Sequence, residues 1–351
     1  MPIPRSVHPL PGEAERRARL LGLVDRFPSR RVLIVGDVIA DEFIYGQVAR
    51  VSREAPVLIL QYDATEILPG GAGNAASNVA ALGGRAQLAG LVGRDEPGRR
   101  LAHELRRRMS ELALGRPADY RTPVKTRILA GGVHTAKQQI VRIDRLPSQT
   151  VSARGRVEFV RTALRACDRA DAVLVSDYGS GLVTPDLVRR LLARVRRRSR
   201  RRPVPVVVDS RYGLLRYRGL TACTPNESEV EQMLGVRIDD DLKVLERAGR
   251  QILKRSRMGA VLVTRGSRGM ALFEAGRPTV HIPIYGSDQV ADVTGAGDTV
   301  MAAVTLALAA GASFYEAARL ANYAGGLVVM KRGTATVSAA ELSSAIDSDL
   351  A

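Results

Sequence analysis

The residues best placed for acid–base chemistry stand in the run Ala291-Asp292-Val293-Thr294-Gly295-Ala296-Gly297-Asp298-Thr299, which passes at once into the helix-forming Val300-Met301-Ala302-Ala303-Val304. Glycines that open a helix let its backbone approach a ligand. Gly295, Ala296 and Gly297 then offer the free N–H groups of a first helical turn to developing phosphate charge. Asp298 falls in the same turn. There the helix dipole favours a carboxylate, and the group can take a proton from a hydroxyl that attacks a phosphate held on those amides. The pattern also fits a helix start whose Asp merely caps the first turn, so the run alone leaves both readings open.

Other chemistries find no support. There is no Gly-x-x-x-x-Gly-Lys-[Ser/Thr] run and no His-Arg-Asp catalytic loop, which excludes a P-loop kinase and a protein-kinase site. The four histidines, His8, His103, His134 and His281, never fall within four residues of one another. They read as lone surface or lid residues, since zinc sites need clustered ligands. Cys167 and Cys223 have no partner at metal spacing and read as buried, reduced thiols.

The elements that must position Asp298 follow from hydrophobic period. Short β-branched runs alternate with helical patterns: 32–35 then 73–82, 88–92 then 96–109, 172–176 then 185–197, and later 204–209 and 260–264 with further helices. Such alternation predicts an α/β fold, a doubly wound and mostly parallel sheet flanked by helices. Segments 41–65 and 121–144 differ, with strand following strand, and predict a small β-sheet lid. With no repeat and no Pro/Gly/Ser linker, one catalytic domain is expected over 31–346. An amphipathic leader helix within 1–30 and a short tail, 347–351, flank it.

The company of the Asp298 run decides between its two readings. The run resembles the C-terminal signature of the ribokinase-like (PfkB) carbohydrate kinases, and Pro69-Gly70-Gly71-Ala72-Gly73-Asn74-Ala75-Ala76-Ser77-Asn78 resembles their N-terminal one. The resemblance implies Asp298 as catalytic base, with Asp41, Asn74 and Asn78 as sugar contacts. It implies nucleotide contacts at Asn226 and Glu229 of Thr224-Pro225-Asn226-Glu227-Ser228-Glu229 and at Thr264, Gly266 and Gly269, with Asn322 beside them. Glu229 would help place Mg²⁺ indirectly, Asn226 also suits a helix N-cap, and Asp292 marks a place for a monovalent cation such as K⁺.

Within that family, Gly36-Asp37-Val38-Ile39-Ala40-Asp41-Glu42-Phe43-Ile44-Tyr45-Gly46 and Val51-Ser52-Arg53-Glu54-Ala55-Pro56-Val57 look like the heptose 7-phosphate kinase branch, as does Ser176-Asp177-Tyr178-Gly179-Ser180-Gly181. The branch implies ATP-dependent phosphorylation of the anomeric hydroxyl of D-glycero-β-D-manno-heptose 7-phosphate, toward lipopolysaccharide heptose. It adds Asp177 and Gln138 as substrate contacts, and Lys125, Arg127, Arg142 and Arg211 as ligands of the 7-phosphate. Asp209-Ser210-Arg211 stands where the branch reads Asp-Pro-Lys, and the lid segment around 130–139 is longer than usual. Bifunctional members also carry a nucleotidyltransferase domain with a His-x-Gly-His element. That element is missing here, so the product expected is the bisphosphate. The alternatives are a kinase for ribose, fructose or fructose 6-phosphate, or an inactive kinase-fold protein that binds nucleic acid.

Composition bounds the rest. The 351 residues carry a net charge of +17, yet only five of the 53 basic residues are lysines and the arginines are spread over most helices. The densest run, 194–202, closes an apolar-periodic helix, where cations suit the dipole, and no aromatics interleave with it. A solvated face is expected there rather than a specific nucleic-acid site. The apolar stretch 302–312 falls short of the about 18 residues a membrane span needs, and the N-terminus lacks a signal-peptide pattern. A soluble cytoplasmic enzyme follows, expected as a homodimer because lid strands rich in Val, Ile and Leu are safer paired than open.

Overall fold

The computed structural model describes residues 12–131, 137–146, 151–198, 203–286, 292–331 and 333–350. The larger of its two sheets has nine strands. In chain order these are β1 (Arg31–Gly36), β4 (Arg85–Leu91), β5 (Glu111–Gly115), β8 (Ala172–Asp177), β9 (Val206–Ser210), β10 (Ala222–Cys223), β11 (Ala260–Thr264), β12 (Met270–Glu274) and β13 (Val280–Ile282). Across the sheet the order is β13-β12-β11-β10-β9-β8-β1-β4-β5. The strands from β11 to β5 run parallel, and β12 and β13 add an antiparallel edge.

A parallel sheet needs both faces covered, and β1 shows how the sequence arranges it. Val32 and Ile34 enter one core with Leu20, Ala75, Met301 and Leu320, while Leu33 and Val35 enter the other with Phe159, Leu191 and Ile252. The first core packs α1 (Glu13–Val24), α2 (Ala72–Ala81), α8 (Ala296–Ala310), α9 (Phe314–Val328) and α10 (Ala339–Asp349). The second packs α4 (Ala153–Ala166), α5 (Pro185–Arg198) and α7 (Leu242–Ser256). Two more helices, α3 (Glu96–Arg108) and α6 (Glu227–Leu234), complete the set. Helix α8 is apolar nearly all round and buried along its length, as a helix enclosed by others must be.

The second sheet holds β2 (Val38–Val51), β3 (Leu58–Gly71), β6 (Val124–Gly131) and β7 (Gln138–Arg145) in the order β3-β2-β6-β7. It is the small sheet expected from 41–65 and 121–144, with β3 longer than predicted. Gly70 and Gly71 of the N-terminal signature finish β3, and Gly71 is the N-cap of α2 at φ 56°. The leader helix spans Glu13–Val24, and α10 runs on through Asp347 to Asp349. His8, His134, Ala291, the centre of the 130–139 lid segment and the end of the 194–202 arginine run lie outside the described residues.

Candidate active site

Strand β1 ends at Gly36 and β2 begins at Val38, so a single residue, Asp37, joins the sheets. Register then builds the acceptor side. Asp41 on β2 lies opposite Lys125 on β6, and Arg127, two residues on and therefore on the same face, reaches back to Asp41. Its Nη1 donates to Asp41 Oδ1 at 2.6 Å, with both side chains about nine-tenths buried. Gly70 makes room, because a Cβ there would sit 2.1 Å from Asp41 Oδ2.

Asp298 occupies the first turn of α8, 3% exposed. Asn74 of α2 donates from Nδ2 to its Oδ2 at 3.0 Å, and the Tyr178 hydroxyl donates to its Oδ1 at 3.1 Å. Burial pushes its pKa from 3.8 up to about 7, against the two hydrogen bonds, which lower it. Asn78 fixes Asn74 in turn, its Nδ2 donating to Asn74 Oδ1 at 3.2 Å while its own Oδ1 accepts from Thr299 at 3.0 Å. Gly295 is the N-cap of α8 at φ 79°, without a side-chain cap. By contrast α3, α4, α6, α7, α9 and α10 are each capped by a side chain. The Ala296 N–H reaches the Val293 carbonyl at 3.2 Å. Those of Gly297 and Asp298 have no partner among the described residues, and a Cβ at Gly297 would meet nothing. An uncapped, sterically open helix start is what an anion requires.

Beside Asp298 a cavity of about 260 Å³ is lined by Lys125, Arg142, Asp144, Tyr178, Arg211 and Tyr212 among others. Lys125 lies over the Tyr178 ring, Nζ 4.5 Å from its centroid. Its pKa is lowered, first by burial and further by Arg211 and Arg142, with Asp41 and Asp144 opposing. Arg142 forks onto Asp144 at 2.7 and 2.6 Å. Three cations on one cavity favour an anionic ligand. A larger cavity of about 680 Å³ lies between β5 and α4 and contains none of the residues predicted for the site.

The opposite side gathers the predicted nucleotide residues. Asn226 and Glu229 form a capping box on α6, Asn226 Oδ1 accepting from the Glu229 N–H at 2.9 Å and Glu229 Oε2 from the Asn226 N–H at 3.0 Å. Asn226 bridges to Thr264 at the end of β11. Gly269 has φ 76°, and a Cβ on it would lie 2.1 Å from the Ile282 carbonyl oxygen; Gly266, at φ 57°, has open space. Glu229 and Asp209 both titrate above their ordinary range. For each, burial is the main cause, and Glu229 is the charge that most raises Asp209, followed by Asp298. Adjacent carboxylates held in this way suit a hard divalent cation such as Mg²⁺. The Asp292 carboxylate accepts from the N–H groups of Thr294 at 2.8 Å and Gly333 at 3.0 Å, closing the loop that leads to Gly295.

Four of the predicted acceptor contacts fall elsewhere. Arg127 neutralises Asp41 instead of lining the cation cavity. Asn78 is fully buried and orients Asn74. Asp177 is taken by the Gly179 N–H at 3.0 Å, Ser210 at 2.7 Å and Tyr217 at 2.6 Å. Gln138 sits on an exposed stretch of β7 opposite Ala130. Asn322 is buried on α9 with its amide donating to the Pro283 carbonyl at 2.8 Å. Tyr178 and Asp209 were missed as site residues. Both stand at the carboxyl ends of parallel strands, β8 and β9, where open α/β sheets bind their ligands.

The sheet order, the small second sheet and the uncapped α8 together define a ribokinase-like α/β fold. Solved structures agree. The Arabidopsis thaliana ribokinase complexed with ribose and ATP matches with a TM-score of 0.67 at 21% identity, covering 90% of this chain and 98% of that one. The Escherichia coli phosphofructokinase-2 in complex with fructose-6-phosphate gives 0.71 at 17% identity, covering 91% and 98%. The sequence profile of the pfkB family carbohydrate kinases matches residues 29–341, and the chain belongs to that family. Among curated relatives, the bifunctional protein HldE of Geobacter sulfurreducens is 42% identical over 312 residues, 88% of this chain and 61% of that protein. The protein of the same name from Caulobacter vibrioides is 40% identical over 330 residues, 92% and 64%. The chain thus spans under two thirds of the length of these relatives.

Proposed function

We propose that this carbohydrate kinase transfers the γ-phosphoryl group of ATP to the anomeric hydroxyl of a heptose 7-phosphate, giving the 1,7-bisphosphate, a precursor for lipopolysaccharide heptose. The observation that carries the reading is one wall with two faces: a buried carboxylate poised near neutral pH, and beside it a cavity lined by three cations for an acceptor that already bears a phosphate. The heptose itself is supported by the motifs at 36–46 and 51–57 and by about 40% identity to the HldE proteins.

Asp298 takes the proton of the attacking hydroxyl. Its pKa of about 7 leaves enough carboxylate to act as base at neutral pH while matching the proton it must accept. The free N–H groups of Gly297 and Asp298, with Gly295 and Ala296 shaping the turn, face the charge on the transferring group. Asp41 and Asn74 contact sugar hydroxyls, and Lys125, Arg142 and Arg211 hold the 7-phosphate. Asn226, Thr264, Gly266, Gly269 and Asn322 line the nucleotide side. Magnesium, when bound, neutralises triphosphate charge, and Glu229 with Asp209 are the carboxylates that would hold it through its water. A potassium ion would act through the loop closed by Asp292.

The catalytic domain is taken as 31–346, with the second sheet covering the acceptor. A second copy of the chain would cover that sheet's exposed Leu58, Ile140 and Ile143, with Val57 beside them, as a homodimer. Among the described residues no helix is long and apolar enough to cross a membrane, and an ATP-dependent step on a phosphosugar belongs in the cytoplasm. The arginine-rich end of α5 is engaged locally, Arg194 on Asp168 at 2.6 Å and Arg198 on the Cys167 carbonyl at 3.0 Å. It serves the surface rather than nucleic acid.

The test is ADP release with Mg-ATP across a panel of heptose 7-phosphate, fructose 6-phosphate, ribose and unphosphorylated heptose. Heptose 7-phosphate should give the highest kcat/KM. A higher value for fructose 6-phosphate or ribose would overturn the substrate assignment and leave the kinase class standing.

A further inference from the structure

Tyr178 is held at its backbone and at its ring. Its N–H donates to Asp37 Oδ2 at 2.8 Å, and the Ser180 N–H reaches the same oxygen at 3.4 Å. Asp37 is itself buried, and the neighbouring Gly179 has φ 84°. Gly71 backs the ring so closely that a Cβ there would lie 3.3 Å from Tyr178 Cε2. On the ring's other contact, Lys125 Nζ stands 4.5 Å from the centroid. A side chain clamped in this way has little freedom in where it sends its hydroxyl, and it sends it to Asp298 Oδ1 at 3.1 Å.

We propose that Tyr178 is the positioning residue of the phosphoryl-transfer base: its hydroxyl fixes Asp298 Oδ1 and stabilises the ionised carboxylate, while its ring forms a wall of the acceptor-phosphate cavity. The inference rests on Asp298 being the base. Asn74 holds the second oxygen from α2, so the carboxylate plane is set by two donors from different elements. The charged groups facing Asp298 are Asp41 from β2, Lys125 from β6 and Asp209 from β9. Tyr178 remains a donor over the working pH range, because burial and the charges of Asp298, Asp209 and Asp41 raise its own pKa. A neutral donor to a carboxylate favours the charged form, so losing it moves the Asp298 titration upward.

Tyr178→Phe keeps the ring and its contact with Lys125 and deletes only the hydroxyl. The acid limb of kcat/KM should move up by about one pH unit, which is about an eightfold loss at pH 6.5 that recovers by about pH 9. KM for the phosphorylated acceptor should stay within about twofold. A ¹³C-carboxylate NMR titration of Asp298 without substrates should show the same displacement, independent of turnover. A loss equal at every pH, or an unmoved profile and titration, overturns the proposal, since either leaves Tyr178 only a packing role. Asp298→Asn is the control: near-normal turnover there removes the base on which the inference stands. An inactive Asp298→Asn beside an unshifted Tyr178→Phe refutes the Tyr178 role alone.

Discussion

Replacing Asp298 by Asn should remove activity and, at alkaline pH, make the protein more stable. Moving the carboxyl from 3.8 to about 7 means that the folded state binds this proton more tightly than the unfolded state does. The resulting destabilisation is absent below pH 3.8 and complete above pH 7. At about 1.4 kcal/mol per pH unit it amounts to about 4 kcal/mol. The substituted asparagine would escape it but offers one acceptor oxygen where Asn74 and Tyr178 both donate, leaving one donor unpaired at a cost of about 1–3 kcal/mol. The net gain at pH 8 is about 1–3 kcal/mol. With unfolding entropy near 2.1 cal/mol/K per residue, that is about 1–4 °C in Tm. By pH 5 the wild-type carboxyl is mostly protonated when folded, and the gain should vanish or reverse. Loss of a general base lowers kcat by about 10²–10⁴-fold. The assays are thermal melts of both proteins at pH 5 and pH 8, with ADP release at pH 8. A melting difference that is the same at both pH values would refute the burial argument. Turnover within about tenfold of wild type would refute the base.

Two further substitutions test the acceptor side. Arg127→Met leaves Asp41 buried without its counter-ion, and should destabilise the fold by about 3–5 kcal/mol at neutral pH, read as a lower denaturant midpoint; a change under about 1 kcal/mol would mean that Asp41 finds other partners. Lys125→Met should raise KM for the phosphorylated acceptor by at least about tenfold and leave KM for ATP unchanged, since Lys125 faces the cation cavity and not the nucleotide side; equal effects on both would break the assignment of that cavity.

Much of the fold was legible because its period was clean. The β-branched runs at 32–35, 172–176 and 260–264 became β1, β8 and β11 of the parallel sheet, and the Asp298 run became the open start of α8. What could not be read was which side chains meet across strands. Lys125 and Arg127 share a face of β6, and the register of β6 on β2, with a route back to Asp41, makes one a cavity cation and the other a buried counter-ion. Asn78 looks identical to Asn74 in a helical pattern, yet one turn further along α2 it meets Thr299 where Asn74 meets Asp298. Tyr178 gave a signal that motif reading passed over, a polar aromatic after the end of a strand and before a glycine. Its value lay in Asp298, 120 residues away in the chain.

The short junctions at the base of the second sheet have a mechanical consequence. Asp37 alone separates β1 from β2, and β3 runs into α2 with no residue between. A ribbon anchored so closely at one end cannot swing as a rigid flap. Its two 14-residue strands extend about 45 Å, and the irregularities in their pairing lie at Tyr45/Gly46 and Val48/Arg50, past the midpoint. Compliance therefore belongs to the outer half, which bends like the tip of a cantilever while Asp41, near the fixed end, keeps its place against the acceptor.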